Sequence, residues 1–264
     1  MPVVDVHTHV FPPALAERAV GSLVHGARLK PYYDGTVEGL LGAMDESGVD
    51  VSVLQPVATR ADQVQSINDW TASIAGPRLV PFGAMHPAFD DPEGEIERMG
   101  ALGIRGIKLH PEFQDFDPLD PRMERIYRAA AKHNLIILFH AGEDPAYETV
   151  RGVPPTFKRL IAEHPDLTII LAHLGGYQIW DEVAEHLLGE RVYLDTAYTL
   201  GHLPPADVAS IIHGHGTDRI LFGSDGPWTD AGAEIAELSD LGLSSDELEA
   251  VLWRNAAQLL DLAL

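Results

Sequence analysis

The sequence predicts an α/β protein, a single-domain (β/α)8 TIM barrel over residues 1–264, and three observations carry that expectation. The first is length, since 264 residues suit one barrel, which typically uses about 250. The second is a set of eight short apolar runs, 3–9, 50–55, 79–85, 104–110, 135–140, 167–173, 191–196 and 219–223, alternating with helix-compatible segments. The third is the character of those runs. Leu135-Ile136-Ile137-Leu138-Phe139 and Leu167-Thr168-Ile169-Ile170-Leu171 are continuously apolar, as suits parallel strands buried on both faces.

The first run ends in His7-Thr8-His9, where the two-residue period of a strand aims both imidazoles to one side, a common beginning for a metal site. Val10 to Gly35 reads as a long irregular insertion after strand one, on the catalytic face, where it would form a lid or a pocket wall. Helices are expected over Val37–Ser47, Ala61–Ala75, Pro121–His133, Pro155–His164, Ile179–Leu188 and Pro205–Ile212, with Gly, Pro or Asp at many junctions. A last helix, Asp246–Leu262, covers the bottom or flank. No low-complexity tract or long linker marks a boundary. A second HxH, His213-Gly214-His215, precedes the eighth run and reads as a loop feature at the opposite end of the barrel.

Composition narrows the chemistry. With no cysteine, any metal must be held by nitrogen and oxygen, and disulfides or a thiol nucleophile are excluded. The 40 acidic against 18 basic residues give a net charge of −22, which repels nucleic acid and anionic membrane as partners. No stretch approaches the roughly 20 apolar residues of a membrane span, and no basic-then-apolar leader opens the chain. The expectation is a soluble, cytoplasmic protein with a small-molecule substrate. Barrels of this kind often pair through loops beside the site, so a homodimer is the expected assembly.

Active sites of such barrels gather at the C-terminal strand ends. Read in order, those ends carry His7 and His9, Gln55, His86, Lys108 and His110, His140, His173, Thr196 to Tyr198, and Asp225. Imidazoles after strands one, five and six with a carboxylate after strand eight should converge on one axis.

At these residues the chain resembles the amidohydrolase superfamily, and within it the amidohydrolase 2 family, which includes aminocarboxymuconate-semialdehyde decarboxylase and related metal-dependent hydrolases. The matching stretches are Val4-Asp5-Val6-His7-Thr8-His9, Gly106-Ile107-Lys108-Leu109-His110-Pro111, Ile137-Leu138-Phe139-His140-Ala141-Gly142, Leu171-Ala172-His173-Leu174-Gly175-Gly176 and Ile220-Leu221-Phe222-Gly223-Ser224-Asp225-Gly226-Pro227. Asn255-Ala256-Ala257-Gln258-Leu259-Leu260 looks like the family's closing helix.

The resemblance implies that His7, His9, His140 and Asp225 bind one divalent metal, with Zn the expected ion and Mn, Fe or Co as alternatives. It implies Asp225 and His173 as the proton-transfer groups. Lys108 has three readings: a carboxylated lysine bridging two metals, a cation facing an anionic substrate, or a structural residue behind the site. The Gly-Ile-Lys-Leu-His-Pro form more resembles the second. His110, Glu143 and Trp228 are expected to join Lys108 in substrate binding, and His86 is a further pocket candidate. The activity so implied is metal-dependent hydrolysis of a small polar, carboxylated molecule. Nonoxidative decarboxylation of an aromatic or dienoic acid is the alternative, and a non-catalytic metal-containing binding protein is a third reading.

Overall fold

The computed structural model describes the backbone of residues 1–27 and 30–264 and the side chains of 1–21 and 30–264. Its elements in chain order are β1 (Val4–Thr8), α1 (Pro13–Ala27), α2 (Val37–Ser47), β2 (Val51–Leu54), α3 (Val64–Ser73), β3 (Leu79–Ala84), α4 (Pro92–Ala101), β4 (Gly106–Leu109) and α5 (Glu124–Lys132). There follow β5 (Ile136–Phe139), α6 (Pro154–Glu163), β6 (Ile169–Leu171), α7 (Trp180–His186), β7 (Tyr193–Asp195), α8 (Pro205–His215), β8 (Ile220–Leu221), α9 (Ala231–Ser239), α10 (Ser245–Glu249) and α11 (Asn255–Leu260). The eight strands form one sheet ordered β1 to β8. Val6 N donates to Phe222 O at 2.9 Å, bonding β1 to the residue after β8, so the fold is the (β/α)8 barrel. No helix among the described residues is long and apolar enough to cross a membrane.

All eight expected runs contain strands, each shorter than its run. Three local expectations are corrected. The stretch after β1 is not irregular throughout, because Pro13–Ala27 is helical; Pro13 sits at its first position, where a missing N–H costs nothing. The His213-Gly214-His215 triplet is no loop but the last turn of α8, with His215 buried and His213 exposed. The closing helix is interrupted by a π turn over Ala250–Arg254, between α10 and α11.

The chain divides into two compact units, Met1–Leu54 with Asp195–Leu264, and Gln55–Leu194. In the first, β1 and β2 pair in parallel through Val4↔Val51 and Asp5↔Ser52, and the register shifts before Thr8↔Leu54. Such an irregularity re-aims side chains along a strand. Helix α2 begins where the Thr36 hydroxyl accepts from Gly39 N at 2.9 Å and ends at Gly48, whose φ of 77° only glycine adopts without strain. It buries Leu40 and Met44, each worth about 1.5–3 kcal/mol, and leaves Glu38, Asp45 and Glu46 in solvent.

In the second unit β3 through β6 pair in parallel, with Ala84↔Lys108 and Lys108↔Leu138 fixing the register at the lysine. Two buried amides brace the strand ends. Asn68 accepts from Ala84 N at 2.7 Å and donates to Ala84 O and Glu95; Gln114 donates to Ala58 O and Met85 O and accepts from His110 N. After β5, Gly142 holds φ 93° so close to the neighbouring turn that a Cβ would lie 2.1 Å from Tyr177 N. Gly142→Ala is therefore expected to lose roughly 2–4 kcal/mol, the sum of positive-φ strain and overpacking, in urea or thermal denaturation. A loss under about 0.5 kcal/mol would mean that this turn relaxes freely.

Candidate functional site

In the first unit, His7, His9 and Asp225 offer three ligand atoms within 4.8 Å of one another. The ends of β1 and β8 are tied to make this happen: Asp225 N donates to His7 O at 2.8 Å, and His9 N donates to Gly226 O at 2.7 Å. Gly223 permits the approach, since a Cβ there would stand 3.0 Å from that of His7. Asp225 itself has φ 71°, a strained value for a non-glycine residue and of the kind that functional sites retain.

The imidazoles are oriented from behind. His7 Nδ1 lies 2.9 Å from Oδ2 of fully buried Asp195, a contact that fixes the ring and turns Nε2 toward Asp225. Nε2 lies 3.3 Å from Asp225 Oδ1, and His9 Nε2 reaches the same oxygen at 3.0 Å. Two ring nitrogens converging on one carboxylate oxygen are held together by a positive charge, a proton or a metal ion. Two nitrogens, one carboxylate and a further carboxylate behind one of the histidines form a donor set that fits a divalent ion.

Asp5 braces the same strand ends, accepting from His7 N at 3.0 Å, Ser224 N at 2.9 Å and Ser224 Oγ at 2.6 Å. Burial pushes its carboxyl up to about 7 against the lowering effect of those bonds. Trp228, three residues past Asp225, is half-buried, and its backbone N–H donates to Asp225 O at 2.9 Å. Glu234 in α9 is pushed to about 9 by burial and by the Glu237, Asp5, Asp225 and Asp230 charges. Its folded value stands above its ordinary 4.5, so the native state keeps a proton that the unfolded chain loses, and stability falls as pH climbs from about 4.5 to about 9. Glu234→Gln is expected to flatten that decline, read as denaturation midpoints at pH 5 and pH 8.5.

The second unit gathers the other expected residues. His110, His140 and Asp144 also offer three ligand atoms within 4.8 Å. The His110 ring stacks on His140 with centroids 4.1 Å apart and on Phe113 at 3.7 Å. Its Nε2 points at Asp144 Oδ2, 3.3 Å away, and its Nδ1 lies 3.5 Å from Glu112 Oε2, a buried oxygen without a hydrogen bond. Burial works to raise the Asp144 carboxyl, but the bond and charge of His110 outweigh it and hold the group below its ordinary value.

His173 Nε2 and His140 Nδ1 are 3.1 Å apart, so one ring donates and the other accepts. His173 and Leu174 adopt φ of 60° and 51°, and Trp180 Nε1 donates to His173 O at 3.0 Å, pinning the turn. Lys108 is buried in β4; Glu143 is exposed just after β5, its carbonyl 3.3 Å from His140 Nε2. His86 is half-buried, and its Nδ1 accepts from Ala88 N at 3.1 Å.

Sequence reasoning passed over Asp195, Asp5, Glu112, Gln114 and Asp144. Asp5 lies within the first-strand motif, and Asp195 is the next-to-last residue of the seventh run and the last of β7, so their position was a signal. The other three sit on loops, where spacing says nothing about which side chain turns inward.

An amidohydrolase family model matches residues 4–262. No curated protein matches the sequence. Among solved structures, an uncharacterised TIM-barrel protein from Bordetella bronchiseptica superposes with a TM-score of 0.81 at 19% identity, covering 99% of each chain. The 5-carboxyvanillate decarboxylase of Sphingomonas paucimobilis gives 0.74 at 16% identity over 99% of each chain. A putative 2-pyrone-4,6-dicarboxylic acid hydrolase from Pseudomonas putida gives 0.72 at 20%, covering 100% of this chain and 98% of that one. At such identities these likenesses establish the fold, whereas the family follows from the match over nearly the whole sequence. The chain belongs to the amidohydrolase family and is an enzyme of it, a hydrolase or a carboxy-lyase.

Proposed function

We propose that the protein is a metal-dependent hydrolase of a small carboxylated molecule, with His7, His9 and Asp225 as ligands of one divalent ion. His140 is the further ligand that the family resemblance implies. The observation that carries this reading is the convergence of His7 Nε2 and His9 Nε2 on Asp225 Oδ1, at 3.3 and 3.0 Å, with Asp195 behind the His7 ring. The nitrogen and oxygen donors suit Zn, with Mn, Fe and Co as competitors. When bound, such an ion supplies Lewis acidity that brings deprotonation of a water within reach at neutral pH.

The chain's own groups do the rest. The Asp225 carboxylate takes the proton of the attacking water and returns it to the leaving group. His173, held by Trp180 and bonded to His140, is the second proton-transfer group. Lys108 stays a cationic ammonium and binds the substrate's carboxylate, aided by His110; Glu143 and Trp228 add the outer contacts. Lys108→Met is expected to raise KM for carboxylated substrates at least tenfold while metal content, read by atomic emission, stays at the parent level. Metal loss in that variant would instead assign Lys108 to a carbamate bridge.

A second reading, decarboxylation, draws support from the structural neighbours that are named for it, 5-carboxyvanillate decarboxylase and 2,6-dihydroxybenzoate decarboxylase. Both readings require a carboxylated substrate, and isotopes separate them. Pyrone dicarboxylates and hydroxybenzoates are incubated with the metal-loaded enzyme in H2(18)O and in D2O. Hydrolysis places one 18O in the acid product. Decarboxylation releases carbon dioxide and places deuterium on the ring carbon, an outcome that would replace the first reading with the second.

A further inference from the structure

Behind the strand ends of the first unit lies a cavity of about 300 Å³ that the proposed reaction does not use. It is bounded by β1 and β2 through Asp5 and Ser52, by α2 through Leu40, Ala43, Met44 and Glu46, and by the start of α9. Its walls are half apolar, and none of its described lining residues is Lys, Arg or His. The carboxylates of Glu46 and Asp230 are exposed at its mouth, whereas Asp5 and Ser52 are buried at its floor.

The floor has unmet hydrogen-bonding capacity. Ser52 is fully buried, and its Oγ has no partner. Asp5 opposes it in the β1–β2 register and accepts three bonds, from His7 N, Ser224 N and Ser224 Oγ. A carboxylate offers about four acceptor positions, so one remains. A buried hydroxyl left unmatched is destabilising unless something occupies the space beside it. A water claims only about 30 Å³, a small part of the volume, and the Leu40, Ala43, Met44 and Val49 side of the cavity offers water no partner.

What fits is a head with several donors and no acceptor on a short apolar body. An ammonium has three donors, enough for Asp5 and Ser52 with one to spare. Its tail would lie on Met44 and Leu40, and the acidic mouth would attract it. We propose that this cavity is a binding site for a small primary alkylammonium ion, separate from the metal-ligand cluster. The occupant would be felt at that cluster, because Asp5 holds His7 N and Tyr33, another lining residue, donates its hydroxyl to His9 O at 2.8 Å.

The test uses the full-length, metal-loaded protein and n-butylammonium chloride, with sodium butanoate, n-butanol and potassium chloride as matched probes. Calorimetric titration is expected to give saturable 1:1 binding of butylammonium, roughly millimolar for so small a ligand, and no saturable binding of the other three. Ser52→Val removes the open hydroxyl and Ala43→Phe fills the space from α2; each is expected to weaken binding at least tenfold. Neither residue belongs to the proposed catalytic groups, so metal content checks that both variants are folded. Absence of saturable butylammonium binding, equal binding of butanol or potassium, or unchanged affinity in both folded variants would each overturn the proposal. None of these readings depends on whether the enzyme hydrolyses or decarboxylates.

Discussion

His7→Ala protein is expected to emerge from purification with less than a tenth of the parent's divalent metal and with turnover lowered by more than about 10³-fold, the largest loss of any single substitution. The reason is geometric. His7 combines a nitrogen aimed at Asp225 with a second nitrogen anchored on fully buried Asp195, so its removal takes away one proposed ligand and leaves that carboxylate buried without its imidazole partner. Asp195→Ala supplies the graded comparison. It leaves every proposed ligand in place and removes only the anchor, which should weaken metal retention by about 10–100-fold. Competition with a chelator of known affinity reads both variants. Parent-level metal in His7→Ala would remove the His7–His9–Asp225 cluster from consideration as the metal centre, whatever the activity did.

His173→Asn should show the opposite pattern, with activity down by about 10²-fold or more while the metal is kept, since proton transfer by a positioned side chain contributes on that scale. The turn that presents His173 is strained at two successive residues and fastened by Trp180, which argues that its position matters for more than packing. Because its Nε2 bonds His140 Nδ1, some loosening of His140 is expected, and metal affinity could fall by up to the roughly 10-fold that losing a ligand's outer partner costs. The decisive quantity is therefore the ratio of the two effects. If metal content falls in parallel with kcat, as in His7→Ala, then His173 acts by holding metal and is no proton-transfer group.

The barrel was legible because its cause is local. Eight apolar runs of five to seven residues, separated by helical patterns, bury both faces of each strand in a parallel sheet, and that requirement is written residue by residue in stretches such as Ile136–Phe139. The strand-end histidines were legible for the same reason, since a strand's end is where a short apolar run stops. Helix α1 was missed because Pro12, Pro13, Gly21 and Gly26 give its sequence the look of a loop, and the His213-Gly214-His215 triplet was read as a loop because it lies between a helix expected to end at Ile212 and the eighth run. In the structure α8 runs through it to Gly216, whose φ of 104° ends the helix.

By itself, then, the sequence determined the fold class, the absence of thiol chemistry and which strand ends carry imidazole and carboxylate. Tertiary structure decided which partners hold them: Asp195 behind His7, distant by 188 residues, Asp5 beneath the β1 and β8 ends, and Asp144 and Glu112 around His110. It also decided the positive φ of His173 and Asp225, which no propensity favours. The physical reason is that a periodicity records only whether a side chain is buried. The direction of a hydrogen bond between residues far apart in the chain, and the strain a backbone accepts to make it, are fixed when the strands are brought into register.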